Sequence, residues 1–374
     1  MIRRLLLAAS LVLPLSSFAA QPVPPEIAAK SFALYDMQSG QTLASANADT
    51  RIEPASLTKL MTAYLSFKAV KEGRLKLDQQ LTVSTRAWKT EGSRMFLDIK
   101  VPVKVDDLLK GMIIQSGNDA CVVLAEAIAG SDEAFAAMMN AEAQRLGLAN
   151  SHYVNSPGLP DAQQYTTAND LVKLTQAIIH DFPEFFPIYS MKNFTYNKIK
   201  QDNRNLLLYR DPDVDGMKTG HTESAGFNLV ATSHRGGRRV ISVVTGTTGM
   251  EERARESAKL LDWGLLNFET PRIFTAGQVL TTAPVYKGAA PQVQVGFAVD
   301  RYVTVLRGQA ASVKHEINLK KPLIAPLAAG QEVGTVRLTL DGQALAEYPL
   351  TVVEAVEQGS WWRRLIDTIR LWFA

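Results

Sequence analysis

The stretch EPASLTKLMTAYL, residues 53–65, carries a hydroxyl and an amine inside a pattern that otherwise predicts a buried helix. Pro54 and Ser56 are residue types typical of a helix start. Lys59 lies three residues after Ser56, and residues three apart share one side of a helix. The spacing therefore predicts that the Ser56 hydroxyl and the Lys59 amine lie together. Apolar residues follow at helical spacing, at Leu57, Leu60, Met61, Tyr64 and Leu65.

Two later motifs complete an ordered set. The segment QSGND places Ser116 and Asn118 at the start of a helical pattern. The segment DGMKTGHTESAGFNL places Lys218, Thr219 and Gly220 on a strand-like run. Alternatively, Ser116 and Asn118 could cap a helix, and Lys218 could be a solvated strand lysine. The order S-x-x-K, S-x-N, K-T-G favours an active site, because it is the signature of serine enzymes that recognise penicillin.

The first motif fits nucleophilic catalysis. A serine hydroxyl needs a base beside it, and Lys59 can be that base if its amine is neutral. Burial and a second cation both lower the pKa of a lysine, and Lys218 is the candidate cation. The attacked carbonyl becomes an oxyanion, for which we predict two backbone donors, the N–H groups of Ser56 and His221. We therefore predict Ser56 as the nucleophile and Lys59 as its base.

The other motif residues are predicted to handle the substrate. Gly220 has no side chain, so the substrate backbone could lie close against its strand. Lys218 and Thr219 precede it on the same strand and are assigned to substrate binding. Ser116 is predicted to relay protons during catalysis, and Asn118 to hold the substrate amide.

The N-terminus, MIRRLLLAASLVLPLSSFAAQPVPPE, has the pattern of a secretory signal peptide. Two arginines precede an apolar run, and the small residues Ser17 and Ala19 flank Phe18 at a plausible cleavage site. A membrane-spanning anchor is the weaker alternative, because the run is far shorter than the ~20 residues that a span needs. We therefore expect residues 1–20 to be a signal peptide and the chain to be exported.

Composition excludes several classes of function. Apolar residues make up 46% and charged residues 21%, which is ordinary for a globular protein. The net charge of +3 includes Arg3 and Arg4 of the signal segment, so the mature chain has no basic excess for nucleic-acid binding. The 5 histidines show no metal-binding spacing, and no phosphate-binding glycine motif occurs, so we expect no metal and no cofactor. Cys121, the single cysteine, is expected to be buried and inert.

The order of predicted elements indicates an α+β fold, an antiparallel sheet flanked by helices, over a catalytic domain of residues 21–268. A loop rich in Asn, Ser, Pro and Gly is predicted over 150–167. The predicted elements are a hairpin within 31–47, helices from 105 to 147 and over 168–180, strands at 216–219, 225–233 and 238–245, and a helix over 251–268.

After residue 268 the pattern changes from mixed helices and strands to short strands. Alternation with period two and the Asp341-Gly342 turn predict a small β-rich domain over 269–356. Residues 357–374 are predicted to form an amphipathic, basic helix too short to span a bilayer, which favours a position in the membrane interface. The alternative is a helix docked on the protein's own β domain. Its apolar positions are Trp362, Leu365, Ile366, Ile369, Trp372 and Phe373.

The chain resembles the low-molecular-mass penicillin-binding proteins that are D-alanyl-D-alanine carboxypeptidases. The resemblance rests on ASLTKLMTAY, IQSGNDACVVLAEAIAGS and DGMKTGHTESAGFNLVA, together with the signal peptide, the β domain and the tail. It implies a β-lactamase/transpeptidase-like catalytic domain in which Ser56 attacks the bond between the last two D-alanines of a cell-wall stem pentapeptide. D-alanine leaves, water hydrolyses the acyl-enzyme, and β-lactam antibiotics acylate the same serine.

The resemblance also implies that Arg204, in DNRNLLL, grips the terminal carboxylate of the substrate. An exposed surface arginine is the alternative. It further implies that the β domain is a stalk and that residues 359–374 hold the enzyme on the periplasmic face of the bacterial inner membrane.

Three other functions compete with this one. Class A β-lactamases deacylate with a glutamate after the second motif, whereas residues 150–170 contain Asp161 and Asp170 but no glutamate. A non-catalytic scaffold on the same fold is disfavoured, because every motif residue is present. A transpeptidase or endopeptidase remains open, since these motifs do not specify whether water or an amine accepts the acyl group.

Overall fold

The computed structural model describes residues 22–372 of the chain. The predicted signal peptide, residues 1–20, and Phe373 therefore lie outside the described residues. The α-helices are α1 Lys59–Lys71, α2 Thr85–Lys89, α3 Val105–Lys110, α4 Asn118–Ala129, α5 Asp132–Arg145, α6 Ala168–Asp181, α7 Leu207–Arg210, α8 Met250–Asn267 and α9 Trp361–Leu371. Shorter helical turns span Ala55–Thr58, Gly111–Gln115, Phe186–Ser190 and Ala310–Ser312.

The strands form one group before residue 270 and another after it. The first group is β1 Ser31–Asp36, β2 Gln41–Ala46, β3 Gln80–Leu81, β4 Val103–Lys104, β5 Asn193–Tyr196, β6 Ile199–Asp202, β7 Val214–Thr222, β8 Gly226–Arg235, β9 Arg238–Thr247 and β10 Phe268–Glu269. The second is β11 Arg272–Phe274, β12 Val279–Tyr286, β13 Gln292–Gly296, β14 Arg301–Tyr302, β15 Val305–Leu306, β16 Lys314–Leu319, β17 Leu323–Ile324, β18 Glu332–Leu340 and β19 Gln343–Val352.

A five-stranded antiparallel sheet organises the first group, with strand order β2-β1-β9-β8-β7. The predicted β1–β2 hairpin and the β7–β8–β9 meander are both present. Strand β1 also pairs with β9, with Phe32 opposite Val244, which brings the N-terminal hairpin into the sheet. Strand β7 is consequently an edge strand, and its outer side is the place where the K-T-G motif lies.

Helices cover both faces of this sheet, because side chains alternate between the faces along each strand. Ala33 and Val243 point into the core that contains α1, α3, α4, α5 and α6. Phe32 and Val244, their neighbours, point into the core that contains α8. Cys121 is fully buried in the first core, as predicted. The layered arrangement confirms the predicted α+β class.

The chain after residue 270 has a core of its own. A six-stranded sheet with order β16-β18-β19-β13-β12-β17 encloses it, and the Asp341-Gly342 turn joins β18 to β19 as predicted. Most pairs are antiparallel, whereas β12 and β17 are parallel. Val295, Val336 and Leu338 are completely buried in this separate core.

The C-terminal helix α9 docks on the β domain through its polar side. Asp367, only 4% exposed, accepts a hydrogen bond from the Lys287 backbone N–H at 2.7 Å. Ile369, two residues on and so about 160° away around the helix, is 49% exposed. The helix is therefore docked on the β domain, the alternative named in the sequence analysis, and it still leaves an apolar side exposed. The predicted position in the membrane interface stays a prediction. Within residues 22–372, none of the helices has the length and apolarity to cross a membrane.

Candidate active site

Ser56 and Lys59 lie in hydrogen-bonding contact at the start of the first long helix. Ser56 belongs to the 3-10 turn Ala55–Thr58, and Lys59 is the first residue of α1. The Lys59 Nζ lies 3.0 Å from the Ser56 Oγ, so the structure brings together the pair that the sequence singled out. Ala55, directly before the serine, has a left-handed backbone with φ of 48°. This conformation is uncommon outside glycine and marks a sharply turned segment.

The Lys59 amine is oriented by two carbonyl oxygens. Its Nζ lies 2.7 Å from the Asn118 Oδ1 and 2.6 Å from the Pro157 carbonyl oxygen, and the side chain is 1% exposed. A neutral amine has two N–H groups and one lone pair. Because the two carbonyls take the two N–H groups, the lone pair is left facing the Ser56 hydroxyl. This is the arrangement that proton transfer from serine to lysine requires.

Burial favours the neutral form of this lysine. Burial, with a smaller contribution from the Arg204 guanidinium, lowers the pKa of Lys59 to about 8, while Asp119 opposes the shift. The sequence analysis named Lys218 as the neighbouring cation, and the charges of Lys59 and Lys218 do oppose each other, since Lys59 lowers the pKa of Lys218. The pKa of Lys218 is itself lowered well below its usual value, so its charge is lost easily, whereas an arginine stays charged.

Lys218 is buried and contacts the second motif. Its side chain is 2% exposed, and its Nζ donates to the Ser116 Oγ at 3.0 Å and to the Thr219 carbonyl at 2.9 Å. The lowered pKa of Lys218 comes first from burial and then from Lys59, Arg204 and Arg253. The alternative of a solvated strand lysine is therefore wrong. The Lys218–Ser116 contact joins the K-T-G strand to the S-x-N turn.

The side chains of the S-x-N turn contact the two lysines of the site and do not cap helix α4. Gly117 occupies the N-cap of α4, and no side chain caps that helix, so the capping alternative is wrong. Ser116, buried and with φ of 68°, presents its hydroxyl to Lys218. The Asn118 Nδ2 donates to the Glu91 carbonyl at 2.6 Å, which fixes the direction of the amide oxygen toward Lys59.

Strand β7 lies directly against the segment that carries the serine. A Cβ at Gly220 would be 2.9 Å from the Pro54 carbonyl oxygen and 3.2 Å from the Leu57 nitrogen. The missing side chain of Gly220 makes room for the nucleophile segment. Gly220 also lines the cavity described below, so its predicted contact with the substrate stays a prediction. Thr219 is almost fully buried, while His221 is exposed, with its ring 3.9 Å from that of Phe227.

A cavity of about 220 Å³ opens between these elements. Its walls come from the nucleophile turn, the S-x-N turn, strand β7, the start of α8 and two loops. The lining residues are Ser56, Ser93, Ser116, Arg204, Thr219, Gly220, His221, Phe227, Met250 and Arg253. The structure thus gathers the predicted residues at one site, with Lys59, Asn118 and Lys218 buried next to the lining serines.

Arg253 is a site residue that the sequence analysis missed. It lies in α8, is 3% exposed, and donates to the carbonyls of Gly220 and Arg204, both at 3.3 Å. Burial lowers its pKa to about 10. The sequence does contain a sign of this role. Arg253 lies seven residues, or two helical turns, before the apolar Leu260, and so on the inner face of the predicted helix. A charged residue is unusual on that face.

The cavity contains two arginines without an internal counter-charge. The Arg204 guanidinium donates to the Ser93 Oγ at 2.7 Å and is half-buried, which excludes the surface-arginine alternative. Within residues 22–372, neither Arg204 nor Arg253 forms an ion pair with a carboxylate. Paired guanidinium groups of this kind are suited to an anionic ligand such as a carboxylate.

The loop over 150–167 contributes a carbonyl to the site and no carboxylate. Pro157 reaches Lys59 because the loop lies against the nucleophile turn, where Gly158 leaves space. Asp161 is exposed and accepts from the Gln163 N–H at 2.8 Å, and Asp170 binds Ser151 at 2.8 Å. In the described part of the chain, no carboxylate is hydrogen-bonded to Ser56 or Lys59.

Sequence similarity to D-alanyl-D-alanine carboxypeptidases extends over nearly the whole chain. The family model described as D-alanyl-D-alanine carboxypeptidase matches residues 18–249, and the model described as penicillin-binding protein 5, C-terminal domain, matches residues 268–358. The D-alanyl-D-alanine carboxypeptidase DacC of Escherichia coli (strain K12) is 43% identical over 368 residues, which are 96% of this chain and 92% of the relative.

Solved structures share the architecture. Penicillin-binding protein 5 from Haemophilus influenzae aligns with a TM-score of 0.88 and 43% identity, covering 90% of this chain and 100% of that one. Penicillin-binding protein D2 from Listeria monocytogenes, solved in an ampicillin-bound form, aligns with a TM-score of 0.60 and 31% identity over 65% of this chain and 100% of that one. The first alignment extends over both the part with the cavity and the β-rich part.

Proposed function

The chain belongs to the D-alanyl-D-alanine carboxypeptidase family, and we propose that it removes the terminal D-alanine of peptidoglycan stem pentapeptides through an acyl-enzyme on Ser56. One observation carries this assignment of the nucleophile. The Lys59 Nζ lies 3.0 Å from the Ser56 Oγ and also contacts the Asn118 Oδ1 and the Pro157 carbonyl oxygen, which take the two N–H groups of a neutral amine. Its lone pair is thereby available to take the serine proton.

The first chemical step is acylation. The Ser56 Oγ attacks the carbonyl carbon of the bond between the two D-alanines, and its proton moves to the neutral Lys59. The carbonyl oxygen becomes an oxyanion, which the backbone N–H groups of Ser56 and His221 stabilise. The former is a first-turn N–H without a helical acceptor, and the latter is on the edge strand β7.

Substrate orientation comes from charge and from the edge strand. The terminal carboxylate binds Arg204 and Arg253, which have no carboxylate partner among residues 22–372. The extended peptide lies along β7, whose outer edge offers backbone groups in the manner of an added strand. Asn118, predicted to hold the substrate amide, instead orients Lys59, because its two amide atoms bind Lys59 and the Glu91 carbonyl. Thr219 lines the cavity wall.

Departure of D-alanine needs a proton on the leaving nitrogen. Ser116 delivers it, because its hydroxyl is hydrogen-bonded to the Lys218 amine at 3.0 Å, from which it recovers a proton. Lys59 loses the proton it took from Ser56, and Lys218 regains the one it gave up, by exchange through solvent, so Lys59 is neutral again. Water then attacks the acyl carbon and gives a proton to Lys59, the bond between the acyl carbon and the Ser56 Oγ breaks, and Lys59 returns that proton to Ser56. Lys59 is the base for this step too, since no described carboxylate reaches the acylated serine.

The protein also binds β-lactams, as its family does. A penicillin offers a strained amide and a carboxylate, the two groups that Ser56 and the arginine pair handle in the peptide. Acylation opens the lactam ring, and the leaving amine stays attached to the acyl group. The adduct is therefore expected to be long-lived.

Two terminal sequence patterns support a proposed location at the membrane surface. We assign residues 1–20 to a signal peptide, 21–268 to the catalytic domain, 269–356 to the β domain and 357–374 to an interfacial helix on the periplasmic face of the inner membrane. The support is the secretory sequence pattern together with the exposed apolar side of α9, where Trp362 is 59% and Trp372 is 78% exposed.

The decisive experiment measures D-alanine release from a peptide ending in D-Ala-D-Ala and, on the same preparation, the mass of the penicillin adduct on Ser56. We expect release together with a long-lived adduct, and loss of both in Ser56→Ala. Fast penicillin destruction with little D-alanine release would instead indicate a β-lactamase. Neither release nor adduct in a folded protein would indicate a scaffold.

A further inference from the structure

A groove of about 500 Å³ separates the C-terminal helix from the β domain. The helix contributes Trp361, Arg364, Leu365 and Thr368, which have the spacing of a single stripe along α9. The β domain contributes Lys287, directly after β12. The other lining residues are Ala325 and Gln358.

The groove lies at the border of the exposed apolar side of α9. Trp361 and Leu365 line it and also belong to that apolar side, being 58% and 49% exposed. If the apolar side is immersed in a bilayer, the groove lies at the level of the lipid headgroups. Its two cations, Arg364 and Lys287, would then meet the headgroups and not the acyl chains.

The position of the groove is fixed by the backbone of Lys287. Its N–H donates to the Asp367 carboxylate at 2.7 Å, and its carbonyl accepts from the Gly359 N–H at 2.8 Å. Helix and β domain are thus joined on both sides of this residue. Gly359 is needed for the close approach, because a Cβ there would be 2.6 Å from the Gly288 carbonyl oxygen.

Both cations of the groove lack an internal counter-charge. Among residues 22–372, neither Lys287 nor Arg364 forms an ion pair, and the Arg364 guanidinium donates only to the Gln358 side chain at 3.2 Å. An ammonium and a guanidinium on opposite walls, beside an indole and a leucine side chain, match a phosphate diester with attached hydrocarbon. We propose that this groove binds the headgroup of an anionic phospholipid, a proposal that rests on the membrane association proposed above.

Diffuse attraction of a basic helix to an anionic surface is the competing explanation, so the test compares two variants of equal charge. Lys287→Gln/Arg364→Gln removes the groove cations. Lys314→Gln/Arg363→Gln removes one cation from the β domain and one from the helix, both outside the groove, and leaves the Arg370–Asp367 pair intact. Lys314 lies in β16, at the sheet edge opposite to β12 and β17.

The mature full-length chain is sedimented with phosphatidylcholine vesicles and with vesicles that also contain phosphatidylglycerol, at fixed ionic strength. We expect wild type to prefer the anionic vesicles, the groove variant to lose about tenfold or more of that preference, and the control variant less than about threefold. D-alanine release should be unchanged in both variants, and their thermal unfolding and circular dichroism should match wild type, which shows that the β domain and α9 are folded.

Each other result overturns a defined part of the proposal. Equal losses in the two variants would mean diffuse attraction and no headgroup site. Equal binding of wild type to both vesicles would eliminate the headgroup site and leave membrane association intact. Binding to neither vesicle would eliminate membrane association itself. Loss of the preference on adding inorganic phosphate at matched ionic strength would mean a site for free phosphate.

Discussion

The Glu53 carboxylate accepts a hydrogen bond from the Thr222 hydroxyl at 3.1 Å. The other carboxylate oxygen accepts from the Ser224 hydroxyl at 2.5 Å. Glu53 lies three residues before Ser56, and Thr222 directly follows His221. This contact therefore joins the two segments whose backbone N–H groups are proposed to stabilise the oxyanion.

Removing that contact should impair catalysis more than stability. Glu53→Ala would leave the separation of the two N–H donors unfixed, so we expect it to lower kcat about tenfold. This is less than the roughly 10²–10³-fold decrease in kcat that follows loss of a whole oxyanion donor. Penicillin acylation should fall in parallel, since it uses the same donors. Glu53→Gln, which keeps an acceptor, should recover much of the rate, and Glu223→Ala, at an exposed neighbour, should be neutral. Unchanged kcat in Glu53→Ala would contradict the positioning role.

The pH dependence of acylation should report the Lys59 amine. The base must be neutral, and with a pKa of about 8 its neutral fraction increases with pH and levels off above that value. We expect kcat/KM for D-alanine release to rise about tenfold per pH unit below pH 8 and then to level off. Lys59→Arg, which stays protonated, should be nearly inactive throughout. A flat or falling profile would argue against lysine as the base.

The two cavity arginines should discriminate a free carboxylate from an amide. A charge-assisted hydrogen bond contributes about 1.5–3 kcal/mol. Arg204→Gln and Arg253→Gln should each lower kcat/KM roughly 10–100-fold for a peptide with a free C-terminus, and less than about threefold for the same peptide ending in an amide. Arg255→Gln, an exposed arginine of the same helix, is the control. Equal losses on both peptides would indicate a purely structural role.

Gly158 should be irreplaceable because of its contact with the nucleophile turn. A Cβ there would be 1.9 Å from the Ala55 carbonyl oxygen, and the backbone has φ of +85°. Gly147→Ala is the matched control, with φ of +69° and nothing within 4 Å of the added Cβ. We expect Gly158→Ala to lower the free energy of unfolding by about 1–3 kcal/mol more than the control does.

The same substitution should also slow acylation, because it moves Pro157 away from Lys59. Denaturant titration and the rate of penicillin adduct formation measure the two effects. If the two alanine variants behave alike in both measurements, the positive φ alone accounts for the need for glycine at position 158. The contact with the nucleophile turn would then have no role.

Much of the fold was predictable, because its signals are local. The β1–β2 hairpin, the β7–β9 meander and the β18–β19 hairpin follow from alternation and turn residues within a few positions of one another. The start of the first helix was predicted less well. The chain forms a 3-10 turn over Ala55–Thr58 before α1 begins at Lys59, because the packing of Gly158 and Gly220 against this turn outweighs local preference.

Sequence alone determined which residues carry reactive groups and that Ser56 and Lys59 lie side by side, since three-residue spacing on a helical turn fixes that contact. Only the tertiary structure decided what surrounds them. The Pro157 carbonyl and Arg253 come from segments about a hundred or more positions away, and no local pattern encodes such proximity. The lowered pKa of Lys59 likewise arises from burial, which exists only once the helices and the sheet have packed around it.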